Sequence, residues 1–169
     1  IQFKRFDMKA LVTETLLETG FPPHSLELEL TESALMENEE TVIATLNRLR
    51  SLGIRLAIDD FGTGYSSLAY LKRFPLDVLK IDKKFIDDIP ASTDDMEIAT
   101  AIIGIAHTLG FKVLAEGVET ATQLEFLRSQ HCDYYQGYYC SPPVPAAKFE
   151  LLLQQQLRPA ATLAPASHS

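Results

Sequence analysis

The sequence predicts an α/β fold in which repeated strand and helix units build a parallel sheet, and three observations carry that expectation. Short apolar runs alternate with amphipathic stretches of helical period. Three of the runs, Leu56-Ala57-Ile58, Val78-Leu79-Lys80-Ile81 and Val113-Leu114-Ala115, are almost continuously apolar, as strands covered on both faces must be. Nearly every run then finishes in an ionisable or amide side chain.

The elements follow in order. Leu11, Leu16 and Leu17 ahead of Gly20 and Pro22-Pro23 read as a helix, its stop and a turn. Strands are expected at Leu26 to Leu30, Ile54 to Asp59, Val78 to Asp82, Lys112 to Glu116 and Asp133 to Tyr138. A helix that ends at Gly53 should bury Val42, Leu46 and Leu49, and one that starts near Thr120 should bury Leu124 and Leu127. Between them, Ile98, Ala101, Ile102, Ile105, Ala106 and Leu109 recur at helical spacing, with Asp94 and Glu97 as a capping pair and Gly110 as the stop. After Leu157 the composition turns to Pro, Ala and Ser, which reads as a disordered tail. Five strands suit either an open doubly wound sheet or part of a (βα)8 barrel, which usually needs about 250 residues.

Bulk composition narrows the function classes. A chain of 169 residues with 46% hydrophobic and 22% charged content can bury one substantial core. The net charge of -8 argues against wrapping a DNA or RNA polymer, whose binding draws on clustered Lys and Arg. A small phosphate ligand held through metals remains compatible. Cys132 and Cys140 fit neither a zinc repeat nor a disulfide scaffold and read as buried thiols in a reducing compartment. No apolar run reaches the roughly 20 residues of a bilayer span, so the segment is expected to be cytoplasmic, free or as part of a membrane-anchored parent. The chain opens at Ile1 and enters a helix with no strand before it, which reads as an incomplete N-terminus.

The polar strand ends form a series: Glu29 with Glu32, Asp59 with Asp60, Lys80 with Asp82, Glu116 with Glu119, and Gln136. In parallel sheets the C-terminal strand ends are where active sites form. Taken singly, Glu29 or Glu32 is more often a solvated strand end or helix cap than a ligand, and Gln136 a structural amide. Adjacent acids such as Asp59-Asp60, ending an apolar strand, must meet water or be compensated. Lys80 between Leu79 and Ile81 is costly unless it faces anions, and Glu116 ahead of Gly117 carries the same argument. The loop that opens with Phe61, Gly62, Thr63 and Gly64 permits close backbone approach but lacks the Lys-Ser/Thr end of a P-loop. His24, His107, His131 and His168 have no ligand-like spacing, and His107 should pack or cap near a helix end. An all-oxygen ligand set favours Mg²⁺ or Mn²⁺, and carboxylates with a lysine at one rim suggest phosphate-ester hydrolysis.

Five motifs now occur in order: Glu29-Leu30-Thr31-Glu32-Ser33, Asp59-Asp60-Phe61-Gly62-Thr63-Gly64-Tyr65-Ser66-Ser67-Leu68, Leu79-Lys80-Ile81-Asp82, Ala115-Glu116-Gly117-Val118-Glu119-Thr120 and Gln136-Gly137-Tyr138. Together they resemble the EAL domain, from the first residues to about Leu153. The resemblance implies a (βα)8 TIM-type barrel, with about five of its eight strands in residues 1–157 as the C-terminal portion of the domain and 158–169 as tail. It implies hydrolysis of cyclic di-GMP to pGpG with two Mg²⁺ or Mn²⁺ ions. Glu29, Asp59, Asp60 and Glu116 then look like metal ligands, and Lys80 would stand beside the attacking water. Glu116 is also a candidate general base. Gln136, Asp82, Glu32 and Glu119 look like supporting or substrate-binding residues, Glu32 by holding the Asp60 to Ser67 loop that couples to dimer contacts.

The resemblance also implies a homodimer and an upstream sensory or diguanylate cyclase domain. The Glu-Ala-Leu strand and the Asn-Leu-Ser motif, two metal-ligand positions, do not occur in the 169 residues, so the segment alone is expected to turn over little and to expose strand edges. Ser141-Pro142-Pro143 departs from the family, which commonly has a basic residue between Ser and Pro. Rival readings are a non-catalytic cyclic di-GMP receptor, a dimerisation module and, more distantly, a metal phosphatase on a doubly wound sheet.

Overall fold

A computed structural model describes residues 8–35, 39–62 and 71–157. The helices are α1 (Met8–Thr19), α2 (Glu32–Leu35), α3 (Glu39–Arg50), α4 (Thr93–Leu109), α5 (Ala121–Ser129) and α6 (Ala146–Leu157), and the strands are β1 (Glu27–Thr31), β2 (Arg55–Phe61), β3 (Val78–Ile81), β4 (Lys112–Ala115) and β5 (Tyr134–Tyr135). All strands pair parallel in one sheet of order β1-β2-β3-β4-β5. Sequential order with parallel pairing is that of a barrel wall, not of a doubly wound sheet, whose strand order reverses at a switch point.

Pairing register decides which side chains share a face, because residues two apart point the same way. Thr31 pairs Asp59, Ala57 pairs Val78 and Lys80 pairs Leu114. One face therefore carries Glu27, Glu29, Arg55, Ala57, Asp59, Val78, Lys80, Lys112 and Leu114. The opposite face carries Leu30, Leu56, Ile58, Leu79, Ile81, Val113 and Ala115, all buried in the core under the helices. Each fully buried leucine or isoleucine contributes about 1.5–3 kcal/mol.

Helices α3 and α5 bury the expected Val42, Leu46, Leu49, Leu124 and Leu127. Helix α4 differs in two respects. Its cap is Ser92, whose hydroxyl accepts from the Asp95 amide at 3.2 Å, so Asp94 and Glu97 are not the capping pair. Its buried stripe is Ala99, Ile102, Ile103 and Ala106, while Ile98 and Ala101 are exposed and Ile105 is half-buried. Between Ile98 and Ala106 only Thr100 is polar, so that stretch offers several faces of similar hydrophobicity, and packing on the sheet chooses one. Gly110 stops it as expected, in the left-handed region at φ 84°. In α1, Val12 is buried and Leu11 and Leu17 are exposed.

The last strand is shorter than expected. Only Tyr134 and Tyr135 pair with β4, and Asp133 and Gln136 to Tyr138 lie outside the ladder. The chain turns instead at Gly137, where a Cβ would lie 2.2 Å from the Val118 carbonyl oxygen and 2.3 Å from its nitrogen. Backbone cannot yield as a side-chain tip does, so Gly137→Ala is expected to lower stability by about 1–3 kcal/mol, read from urea unfolding. Cys132 is half-buried, with burial first among the causes that raise its thiol pKa to about 11. Cys140 is exposed and corrects the expectation of two buried thiols.

Two aspartates staple the opposite, N-terminal ends of the strands. Asp77 accepts from the Leu56 amide at 3.0 Å, and Asp133 accepts from the Val113 amide at 2.9 Å. Asp133 also holds Lys112 at 2.6 Å and His107 at 2.9 Å, so His107 bonds a strand entry and does not cap its helix. Burial opposes the Asp133 charge, but the bonds from Lys112, His107 and the Val113 amide outweigh it and bring the pKa down to about 2. A depressed carboxylate stabilises the fold above its unfolded pKa of about 3.9 and loses that contribution as pH falls toward about 2. Asp133→Asn is expected to remove roughly 1 kcal/mol of the stability difference between pH 5 and pH 2, measured by denaturant unfolding across that window.

Candidate active site

The polar face of the sheet converges at the C-terminal strand ends. Lys80, at the third position of β3, is only 4% exposed, yet its side chain is charged. Its Nζ meets Glu29 Oε1 of β1 at 2.8 Å, Asp59 Oδ1 of β2 at 3.0 Å and Glu116 Oε1, just past β4, at 2.8 Å. An ammonium has three protons to donate, and three carboxylates from three different segments receive them. Burial opposes the charge, but the bonds to Glu116, Glu29 and Asp59 prevail and hold the Lys80 pKa above the ordinary lysine value.

Asp60 joins this group by a backbone irregularity. Neighbours on a regular strand point to opposite faces, which would send Asp59 and Asp60 apart. The β2-β3 register shifts between Ile58 and Phe61, and Asp60 adopts φ 55°, a conformation aspartate tolerates better than most residues. Carboxylate oxygens of Asp59, Asp60 and Glu116 then lie within 4.8 Å of one another. Burial and the negative charges of Asp59 and Asp82 raise the Asp60 pKa, with Lys80 working the other way. An all-oxygen donor set with surplus negative charge fits a hard divalent cation such as Mg²⁺ or Mn²⁺ and not a zinc or copper site.

The remaining sequence candidates fall nearby or elsewhere. Asp82 stands against Asp60, and its Oδ1 accepts from the Lys84 amide at 2.8 Å, capping a short 3₁₀ turn at Lys83–Phe85. Glu32 is buried at the start of α2. Glu119 turns to Lys83 at 2.6 Å. Gln136 is exposed; its backbone amide donates to the Ala115 carbonyl at 2.8 Å, and its side-chain amide makes no hydrogen bond among the described residues. It lines a cavity of about 620 Å³ with Leu114, Tyr135, Pro143, Phe149 and Leu153, apart from the carboxylates. Phe61 is buried at the end of β2 and Gly62 follows it, packed against the Phe85 ring. Thr63 and Gly64, with the rest of their loop through Ser67, lie outside the described residues, as does the expected tail 158–169.

Gln123 went unnoticed in the sequence although Thr120-x-x-Gln123 is a capping-box spacing. Its buried amide accepts from the amides of Glu119 at 2.8 Å and Thr120 at 2.9 Å, and donates to the carbonyls of Ile86 at 3.0 Å and Asp87 at 3.2 Å.

Known proteins resemble this chain in sequence and fold. The sequence model of the EAL domain matches residues 2–143. A cyclic di-GMP phosphodiesterase of Pseudomonas aeruginosa, NbdA, is 58% identical over 143 residues, 85% of this chain and 18% of that protein. A structure titled PaMucR Phosphodiesterase, c-di-GMP complex, superposes with a TM-score of 0.83 at 42% identity, over 88% of this chain and 60% of the other. The Klebsiella pneumoniae BlrP1 manganese/cy-diGMP complex superposes at 0.73 and 33% identity, over 81% and 35%. The chain thus spans about a fifth of the length of the curated relative. No described helix is long and apolar enough to cross a membrane.

Proposed function

The chain belongs to the EAL-domain family, and from that membership we propose that its parent hydrolyses cyclic di-GMP to the linear dinucleotide pGpG, with Lys80, Glu116 and their carboxylate neighbours as the working residues. The observation that carries this reading is the Lys80 ammonium held by carboxylates of three segments, two of them in the Asp59, Asp60 and Glu116 group.

Asp59, Asp60 and Glu116, with Glu29, are the ligands we assign to Mg²⁺ or Mn²⁺. Bound divalent ions make a water acidic and neutralise charge on the phosphodiester oxygens. Lys80, placed among these carboxylates and charged at neutral pH, would offset the negative charge that develops on the attacking oxygen. Glu116 is the carboxylate we assign to take the proton of that water. The water oxygen bonds to phosphorus, one phosphorus-oxygen ester bond to ribose breaks, and the leaving ribose oxygen takes up a proton. Asp82 restrains Asp60, while Glu32 and Glu119 act at the loops behind the site. Gln136 is assigned a supporting or substrate-binding role, through its side-chain amide.

The segment of 169 residues by itself turns over slowly in this reading, because the family's two further ligand positions are not among its residues. A chromatographic assay for pGpG, with Mn²⁺ and cyclic di-GMP, on the segment and on its full-length parent tests both statements. Brisk hydrolysis by the segment overturns the second. A parent that binds the nucleotide without cutting it is a receptor, and one that binds none is an interaction module.

A further inference from the structure

Lys83 lies outside the cluster and bonds none of its members, yet it joins the two segments that carry Lys80 and Glu116. It opens the 3₁₀ turn after β3, three residues past Lys80. Its Nζ reaches Glu119 Oε1 at 2.6 Å, three residues past Glu116. Its methylene stem lies directly on Gly117, where a Cβ would come within 2.2 Å of Lys83 Cγ, and Gly117 takes φ 71° to admit it. Gln123 ties the same two segments a second time. It joins the Ile86 and Asp87 carbonyls to the Glu119 and Thr120 amides, and it is 3% exposed with both ends of its amide satisfied. The chain that follows Lys80 is thus held to the chain that follows Glu116 by an ion pair and by a buried amide.

We propose that Lys83 and Gln123 are positioning residues that clamp the turn 117–120 against 83–87 and so set the 2.8 Å contact between Glu116 and Lys80. The inference rests on the reading of Lys80 and Glu116 as site residues. Glu116 follows the last residue of β4, and its amide donates to the Ile81 carbonyl at 3.1 Å, the final rung tying it to β3. Beyond that rung the direction of its side chain depends on Gly117, whose left-handed conformation is compatible with many paths of the following chain. Lys83 and Gln123 remove that freedom. An error of about 1 Å at a reacting group costs about 100-fold in rate, so a clamp remote from the chemistry matters to it.

Lys83 is half exposed, and its exposed pair adds little to folding, which separates positioning from stability. The test uses ¹⁵N-lysine-labelled protein and follows the Lys80 ammonium resonance, identified by its loss in Lys80→Met. In Lys83→Met that resonance is expected to shift or broaden while the thermal midpoint moves by less than about 2–4 °C. Lys83→Arg, which keeps a cation for Glu119, is expected to return it toward its original position. Titration with Mg²⁺ should show roughly tenfold weaker binding in Lys83→Met. If the unsubstituted protein takes up no Mg²⁺, the metal reading falls by itself and the Lys80 resonance still decides the clamp. An unchanged Lys80 resonance in Lys83→Met overturns the inference whatever the metal result.

Discussion

Replacing Lys80 with methionine is expected to lower hydrolysis of cyclic di-GMP by the full-length parent about 10²–10³-fold, the usual cost of losing one pre-placed charge-stabilising donor. Methionine matches the length of the lysine stem, so packing against β3 survives and the charge alone is removed. The same change should cost about 1–3 kcal/mol of stability, because it leaves three carboxylates facing one another without their cation. That figure lies below the cost for a fully enclosed pair, since the Glu29, Asp59 and Glu116 side chains keep 48%, 24% and 22% of their exposure. The Lys80 pKa lies above its unfolded value, so the contribution is fully present at neutral pH and disappears only in strong alkali. Mn²⁺ should restore the thermal midpoint of Lys80→Met without restoring hydrolysis, because an added ion can neutralise the carboxylates but does not replace the fixed positive charge at the position of Lys80. Wild-type turnover in this variant would sink the role assigned to Lys80.

Asp59→Asn is expected to weaken Mn²⁺ binding by more than about 100-fold, since even residues one contact removed from a metal cost 10–100-fold. Asp59 takes part, as Glu116 does, in both features of the site, bonded to Lys80 at 3.0 Å and grouped with Asp60 and Glu116. Asparagine keeps its shape and one acceptor oxygen, so the metal-free fold should change little. For the unsubstituted protein, Mn²⁺ at a hundredfold excess over its Kd adds about 2.7 kcal/mol of stability. That increment should vanish in Asp59→Asn, and hydrolysis with it. Thermal unfolding with and without Mn²⁺ measures it, and an undiminished increment would remove Asp59 from the ligand set.

Much of the molecule was legible in the sequence because burial leaves a periodic trace. The apolar runs located β1 through β4 to within a residue or two, and the leucines of α3 and α5 marked their buried faces. The site could be assembled from the same pattern, since a parallel sheet brings all its strand ends to one rim. Where the trace is degenerate, the reading slipped. The mostly apolar middle of α4, Ile98 to Ala106, left its buried stripe open, and Ser92 was overlooked as its cap because Asp94 and Glu97 offered an equally good spacing. β5 was drawn too long because nothing in Gln136-Gly137-Tyr138 announces a turn pressed against Val118.

By itself the sequence determined which residue types are available, that they end successive strands, and that an oxygen-rich set without histidine or cysteine belongs to a hard cation. Only the tertiary structure decided how they meet. The left-handed turn of Asp60 brings it to the side of Asp59, and the Lys80 ammonium gathers Glu29, Asp59 and Glu116 from segments far apart in the chain. Lys83 and Gln123 hold the segments behind them. The physical reason is range: periodicity and strand-end chemistry arise among neighbours along the chain, whereas the direction of a side chain at a strand's end is set by bonds to residues some tens of positions away.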